Sequence, residues 1–179
     1  MRRNKLLAAL TRYRKGEEGN ATIEFVILVP LMLMMLVSTV ELGMINLRQS
    51  QLERALDITV REIRLSTGAA PQHDEIRDKI CNYSGFIDDC ATSLRLEMLQ
   101  RDPFAWAAVD PEPDCINLIE DVQPVRTFTS GASNELMLIR ACMKYRPFIS
   151  TWGLGDALDK DDDGRASLYA ASAFVQEPS

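Results

Sequence analysis

The chain has 179 residues, of which 46% are hydrophobic and 26% are charged, and its formal net charge is −6. This length is enough for one modest folded domain in addition to a membrane segment. An acidic chain offers no broad basic surface for phosphate backbones, so the composition argues against nucleic acid as a partner.

Basic residues are concentrated at the N-terminus. Residues 1–19 contain six Lys or Arg and two Glu, a net charge of +4, which leaves −10 on the rest of the chain. Positive charge beside an apolar segment stays on the cytoplasmic side of a membrane, so we expect a cytoplasmic N-terminus and an exported remainder. The sequence thus predicts a basic leader at 1–19, a long helix at 20–68 and an exported α+β domain at 69–179.

Residues 24–46 are predicted to cross a membrane as a helix. No residue from Phe25 to Val40 is charged, and Glu41 is the single charge between Phe25 and Leu47. About 20 apolar residues suffice to span a bilayer, and the polar stripe of a soluble helix is missing. Pro30 removes one helical hydrogen bond inside this run, so we expect a bend near residues 26–30.

Beyond Gly43 the pattern becomes that of an amphipathic helix, which needs a partner surface. Its apolar positions recur at mostly three- and four-residue steps: Leu47, Leu52, Ala55, Leu56, Thr59 and Ile63. Residues 93–99, 136–145 and 167–175 have strand character and predict an antiparallel sheet that covers this helix. The predicted fold class is α+β, with a long N-terminal transmembrane and amphipathic helix packed on a small antiparallel β-sheet.

Aromatic residues outside these elements occur in two predicted loops. Residues 148–158 are predicted to form a loop with a short helix in which Phe148, Trp152 and Leu154 pack inward. Phe104 and Trp106 belong to a proline-rich loop at 101–114. They either form an exposed contact patch or fold back onto the core.

All four cysteines lie on the exported side, where an even number predicts two disulfides. We favour Cys81–Cys90 and Cys115–Cys142 among the three pairings, because short separations are easier to close. A zinc site is the rival interpretation, but the Cys-x-x-Cys spacing is absent and the only histidine, His73, is far from any pair of thiols.

A calcium site is the one metal centre that the sequence suggests. Asp159, Asp161, Asp163 and Gly164 follow the first half of an EF-hand loop. Position twelve, where a bidentate Glu is needed, is Ala170, so a complete EF-hand is excluded. A weak calcium site and a solvated acidic turn remain as alternatives, and no other cofactor is expected.

One carboxylate, Glu24, lies at the start of the apolar run, and a charge at such a position has a functional role as the default expectation. The basic leader, Gly19, four residues, Glu24, Phe25 and the apolar run resemble a type IV prepilin. Pro30, Glu41-Leu42-Gly43 and the C-terminal segment 164–178 make the chain similar to the TadE/TadF family, the minor pseudopilins of tight-adherence (Flp) pili.

The resemblance implies a type IV pilin-like fold and processing between Gly19 and Asn20 by a prepilin peptidase. It implies that Glu24, Phe25 and Pro30 act in recognition or assembly. The implied partners are that peptidase, other minor and major pilins, and the pilus assembly platform of the inner membrane. The exported domain is then periplasmic or part of an extracellular pilus.

No enzymatic activity is expected, because Gly-x-Ser-x-Gly, Walker and His-Glu-x-x-His motifs are absent. The alternative function is an uncleaved, signal-anchored periplasmic binding domain, with calcium as a potential ligand, in which Glu24 only snorkels to the membrane surface. The mature N-terminus separates the two hypotheses.

Overall fold

A computed structural model describes residues 20–65, 71–85, 89–105, 108–110, 113, 115, 128–129 and 131–177. The chain divides into two compact units, Met1–Val40 and Glu41–Ser179. The predicted leader at 1–19, the predicted helix end at 66–68 and Trp106 lie outside the described residues. The predicted fold class is confirmed: a long N-terminal helix accompanies a three-stranded antiparallel sheet.

Helix α1, Asn20–Leu65, contains 46 residues, and Pro30 lies inside it. In the second unit, most of the predicted apolar stripe is buried. Its buried members are Leu52, Ala55, Leu56, Thr59 and Ile63, and Val60 joins them. Leu47 is an exception, since it is 40% exposed.

The sheet consists of β1 (Leu94–Arg101), β2 (Leu136–Tyr145) and β3 (Ala166–Val175), in the order β1-β2-β3. Both pairings are antiparallel. One continuous core contains apolar residues of α1 and of all three strands. The predicted packing of a sheet on the amphipathic part of the long helix is therefore correct.

The outer face of strand β1 is buried although it carries charged residues. Arg95 and Glu97, which alternate with the apolar residues, are only 2% and 7% exposed. Arg140 of β2 donates from Nε to Glu97 Oε2 at 2.9 Å and from Nη1 to the carbonyl of Asp110. The segment at 108–110 is thereby held beside the outer face, and an ion pair replaces solvent as the partner of Glu97.

Three short helices complete the described part of the chain: α2 (His73–Ser84), α3 (Cys90–Ser93) and α4 (Leu154–Ala157). Helix α2 buries Ile76 and Ile80 in the common core.

Two disulfides join parts of the second unit, Cys81–Cys90 and Cys115–Cys142, with Cα atoms 5.6 Å and 5.3 Å apart. This pairing is the one favoured by sequence separation. The first disulfide ties α2 to α3, and the second ties residue 115 to β2. In a protein of this size each such link stabilises the folded state by about 2 to 4 kcal/mol.

Candidate functional site

The first candidate surface is the part of α1 in the first unit, which is apolar and exposed. One window of this helix has a mean hydropathy of 2.4 with none of it buried, so the helix is long and apolar enough to cross a membrane. A contiguous apolar surface of this extent needs lipid or other helices to cover it. This N-terminal helix thus indicates a single-pass membrane anchor. Its exposed apolar residues include Ile23, Phe25, Val26, Ile27, Leu31, Met32, Met35 and Leu36.

The residues singled out for assembly lie on this exposed helix. Glu24, Phe25 and Pro30 are all exposed in the single chain. The described part of helix α1 starts at Asn20, and Gly19 lies outside the described residues. The roles of these residues in processing and assembly stay predictions.

The second candidate site is the carboxylate of Glu41, which is 1% exposed. Its Oε1 accepts a hydrogen bond from the backbone N–H of Phe148 at 2.9 Å, and its Oε2 accepts one from the N–H of Ile149 at 3.1 Å. Hydrogen bonds to an ionised acceptor are the strong ones. Glu41 therefore fixes the start of the loop at residues 147–153 to helix α1; we call this segment the aromatic loop.

The middle of the aromatic loop and the short helix that follows it are fixed as well. Lys160 donates from Nζ to the carbonyls of Ser150 (3.0 Å), Gly155 (2.8 Å) and Asp156 (3.2 Å). A Cβ on Gly155 would lie 2.0 Å from the carbonyl oxygen of Ile149, so only glycine permits this close approach. The loop is thus shaped by charged side chains and by close backbone packing.

Contrary to the sequence-based prediction, Phe148 and Trp152 do not pack inward. Phe148 is 72% exposed and Trp152 is 43% exposed, although Pro147 beside them is buried. The reason is that the backbone of the loop, held by Glu41 and Lys160, occupies the inward position. Phe104, on the loop at 101–105, is 99% exposed, which excludes the folded-back alternative for that residue.

From the sequence, Glu41 was noted as an isolated charge and as part of a family motif, but its structural role was not predicted. The signal that reveals it is the charge itself, since Glu41 is the one ionisable residue between Phe25 and Leu47. A charge in such surroundings needs a partner. Its partners are two backbone N–H groups more than one hundred residues later, and the sequence around Glu41 does not indicate them.

The acidic turn at 159–164 is stabilised by basic side chains. Asp161 is paired with Lys144 at 3.2 Å and accepts the backbone N–H groups of Asp163 and Arg165. Asp163 is paired with Arg165 at 2.7 Å and with Arg146 at 3.1 Å. The hydrogen bonds from Arg165 and then Arg146 hold the pKa of Asp163 below its usual value.

Calcium binding at Asp159, Asp161 and Asp163 stays a prediction. Among the described residues, no group of three or more His, Cys, Asp or Glu side chains is placed to hold a metal ion. A site would have to displace the lysine and arginine partners, so any affinity is expected at the millimolar end of the range for extracellular modules, about 0.1 to 1 mM or weaker. A melting temperature that several millimolar calcium leaves unchanged would remove this hypothesis.

Residues 19–61 match the family model described as TadE-like protein. The matched stretch contains Gly19, Glu24, Pro30 and Glu41, so the resemblance to TadE-like proteins is confirmed for this part of the chain. No curated protein and no solved structure matches the chain. The match covers 43 of the 179 residues, and it indicates a protein associated with a tight-adherence pilus.

Proposed function

We propose that this protein is a minor pilin, or pseudopilin, that acts in the assembly of a tight-adherence type IV pilus. The observation that carries the proposal is the coincidence of two features in one helix. The segment that matches the TadE-like family, residues 19–61, contains the apolar surface that the folded chain leaves exposed. That surface suits a subunit that rests in a membrane and then packs against the helices of other pilins.

The charge distribution supports a defined orientation in the inner membrane. The leader with net charge +4 remains in the cytoplasm, and the second unit, which contains both disulfides, is exported to the oxidising periplasm. The partners of such a protein are a prepilin peptidase, other minor and major pilins, and the assembly platform. A structural role of this kind requires no catalytic group and no cofactor.

Processing between Gly19 and Asn20 is the step that can be tested by substitution. Glycine lets an extended backbone enter the membrane-level active site of a peptidase, whereas a bulky side chain obstructs it. The Gly19→Phe variant, expressed with the pilus machinery, is therefore expected to accumulate only as precursor. A denaturing gel that resolves the loss of 19 residues gives the result.

The matched control is Gly16→Phe, which places the same bulk inside the leader three residues away. This control should be trimmed normally. If Gly19→Phe is trimmed as well as the control, the cleavage site is wrong. If the wild-type chain is never trimmed, the alternative of an uncleaved anchored periplasmic domain replaces the pseudopilin proposal.

A further inference from the structure

Two exposed aromatic side chains lie on a loop that the protein holds rigid. Phe148 and Trp152 are exposed on the aromatic loop, whose backbone is bonded to Glu41 at Phe148 and Ile149 and to Lys160 at Ser150. Burial of the Glu41 carboxylate to hold such a loop is costly unless it is fully hydrogen-bonded. Single exposed apolar residues need no explanation, but two of them on a segment held by a buried carboxylate and a half-buried lysine indicate a functional surface.

The depth of Glu41 places this loop relative to a membrane. The predicted span, residues 24–46, includes Glu41, and after it Leu42, Met44 and Leu47 remain exposed at 51%, 36% and 40%. Without hydrogen-bond partners, the Glu41 carboxylate would be exposed to lipid, which is unfavourable in free energy. The N–H groups of Phe148 and Ile149 supply these partners. They must therefore lie at the same depth in the membrane as Glu41.

The residues around the loop match the chemistry of a membrane interface. Trp and other aromatic side chains concentrate at the headgroup level, where an apolar ring and a polar edge are both accommodated. Arg48 lies seven residues beyond Glu41, about 10 Å along the helix. Arg48 donates to the carbonyl of Arg146 at 3.3 Å, and the side chain of Arg146 is 63% exposed. Arg48 follows the predicted span in the sequence, so a bilayer that covers this span is expected to bring both cations near its phosphates.

We propose that Phe148 and Trp152 insert into the headgroup region of the bilayer on the exported side, and that Glu41 is the positioning residue that holds the aromatic loop at this depth. The proposal rests on the membrane anchoring contained in the proposed function. It adds a second contact with the membrane, made by the folded unit. Such a contact fixes the tilt and rotation of the exported domain before the subunit leaves the membrane.

The test uses the full chain in vesicles of phosphatidylcholine and phosphatidylglycerol that contain spin-labelled lipid. The sequence has two tryptophans, so Trp106→Phe leaves Trp152 as the only fluorophore. With the label at the headgroup or upper acyl chain, Trp152 is expected to lose most of its emission, and with the label at the chain end it should lose little. Phe148→Trp, in a chain with Trp106→Phe and Trp152→Phe, provides a second probe with the same expected result.

Tyr83→Trp in that same double-substituted chain is the matched control. Tyr83 is 42% exposed and its hydroxyl contacts Glu62, about 30 Å further along α1 than Glu41. This probe should respond to iodide in the water and not to the lipid labels.

Three results would overturn the proposal. A chain that does not float with the vesicles contradicts both the anchor and the loop contact. A chain that floats, with Trp152 and the Phe148→Trp probe quenched only by iodide, contradicts the loop contact alone. In the third result, Trp152 emission changes with the density of protein in the vesicle and not with spin-labelled lipid. The loop then contacts other copies of the chain instead of lipid. Quenching by shallow labels in an uncleaved chain would support the loop contact while the pseudopilin proposal fails.

Discussion

Replacing Glu41 with alanine is expected to lower the free energy of unfolding by about 2 to 5 kcal/mol. The substitution removes the acceptor of two backbone N–H groups, and each donor left unpaired costs about 1 to 3 kcal/mol. In a chain of this length the loss corresponds to a fall in melting temperature of about 5 to 15 °C. The measurement is thermal unfolding of the detergent-solubilised full chain, followed by tryptophan emission.

Asp57→Ala provides the matched control for this prediction. Asp57 is an exposed acid on the same helix, and its replacement should change the free energy of unfolding by less than about 0.5 kcal/mol. Glu41→Gln keeps one oxygen acceptor and should fall between the control and Glu41→Ala. Equal stability of the Glu41→Ala chain and the Asp57→Ala chain would contradict the role assigned to the buried carboxylate.

The Glu24→Gln variant is expected to fold and to be inserted normally but to assemble poorly. After the cut, Asn20 would carry a free ammonium group, and Glu24 lies about one helical turn further on. Glu24 of one subunit can then face the amine of a staggered neighbour, and in lipid this pairing favours association and sets the register between the helices. Its loss, about 1.4 to 3 kcal/mol, corresponds to an association constant lower by roughly 10- to 100-fold.

Co-purification with other pilins and the number of surface pili are the measurements for this variant. Glu17→Gln removes the same charge from the leader, so its mature chain should be identical to the wild type and should assemble fully. Two outcomes would contradict the assembly role proposed for Glu24. Normal assembly of Glu24→Gln shows that the apolar helix alone drives association, and accumulation of precursor shows that Glu24 is read by the peptidase.

The helix and the sheet were predictable because their patterns are local and periodic. The uncharged run from Phe25 to Val40 and the stripe from Leu52 to Ile63 each belong to one helix, and alternation in the strands revealed the sheet. The sequence also carried the motif around Gly19 and Glu24, which the match at residues 19–61 supports.

The contacts that shape the candidate site were not predictable, because they are made between the backbone of one segment and a side chain far away. Glu41 bonds to N–H groups at 148 and 149, and N–H groups are the same in every residue but proline. Hydrophobicity alone therefore assigned Phe148 to the core, although the backbone of its loop fills that position. Similarly, the alternation in β1 gave no sign of the ion pair of Glu97, because its partner Arg140 lies 43 residues away.

The mature N-terminus is the most direct test of the central claim that this chain is processed and assembled as a pilin-like subunit. Mass spectrometry of the protein purified from cells that carry the pilus machinery identifies the first residue. The predicted result is a chain that begins at Asn20. Its new N-terminal amine then lies four residues before Glu24, as the proposed pairing between subunits requires. A chain that retains Met1 would contradict the claim and leave a membrane-anchored periplasmic domain in its place.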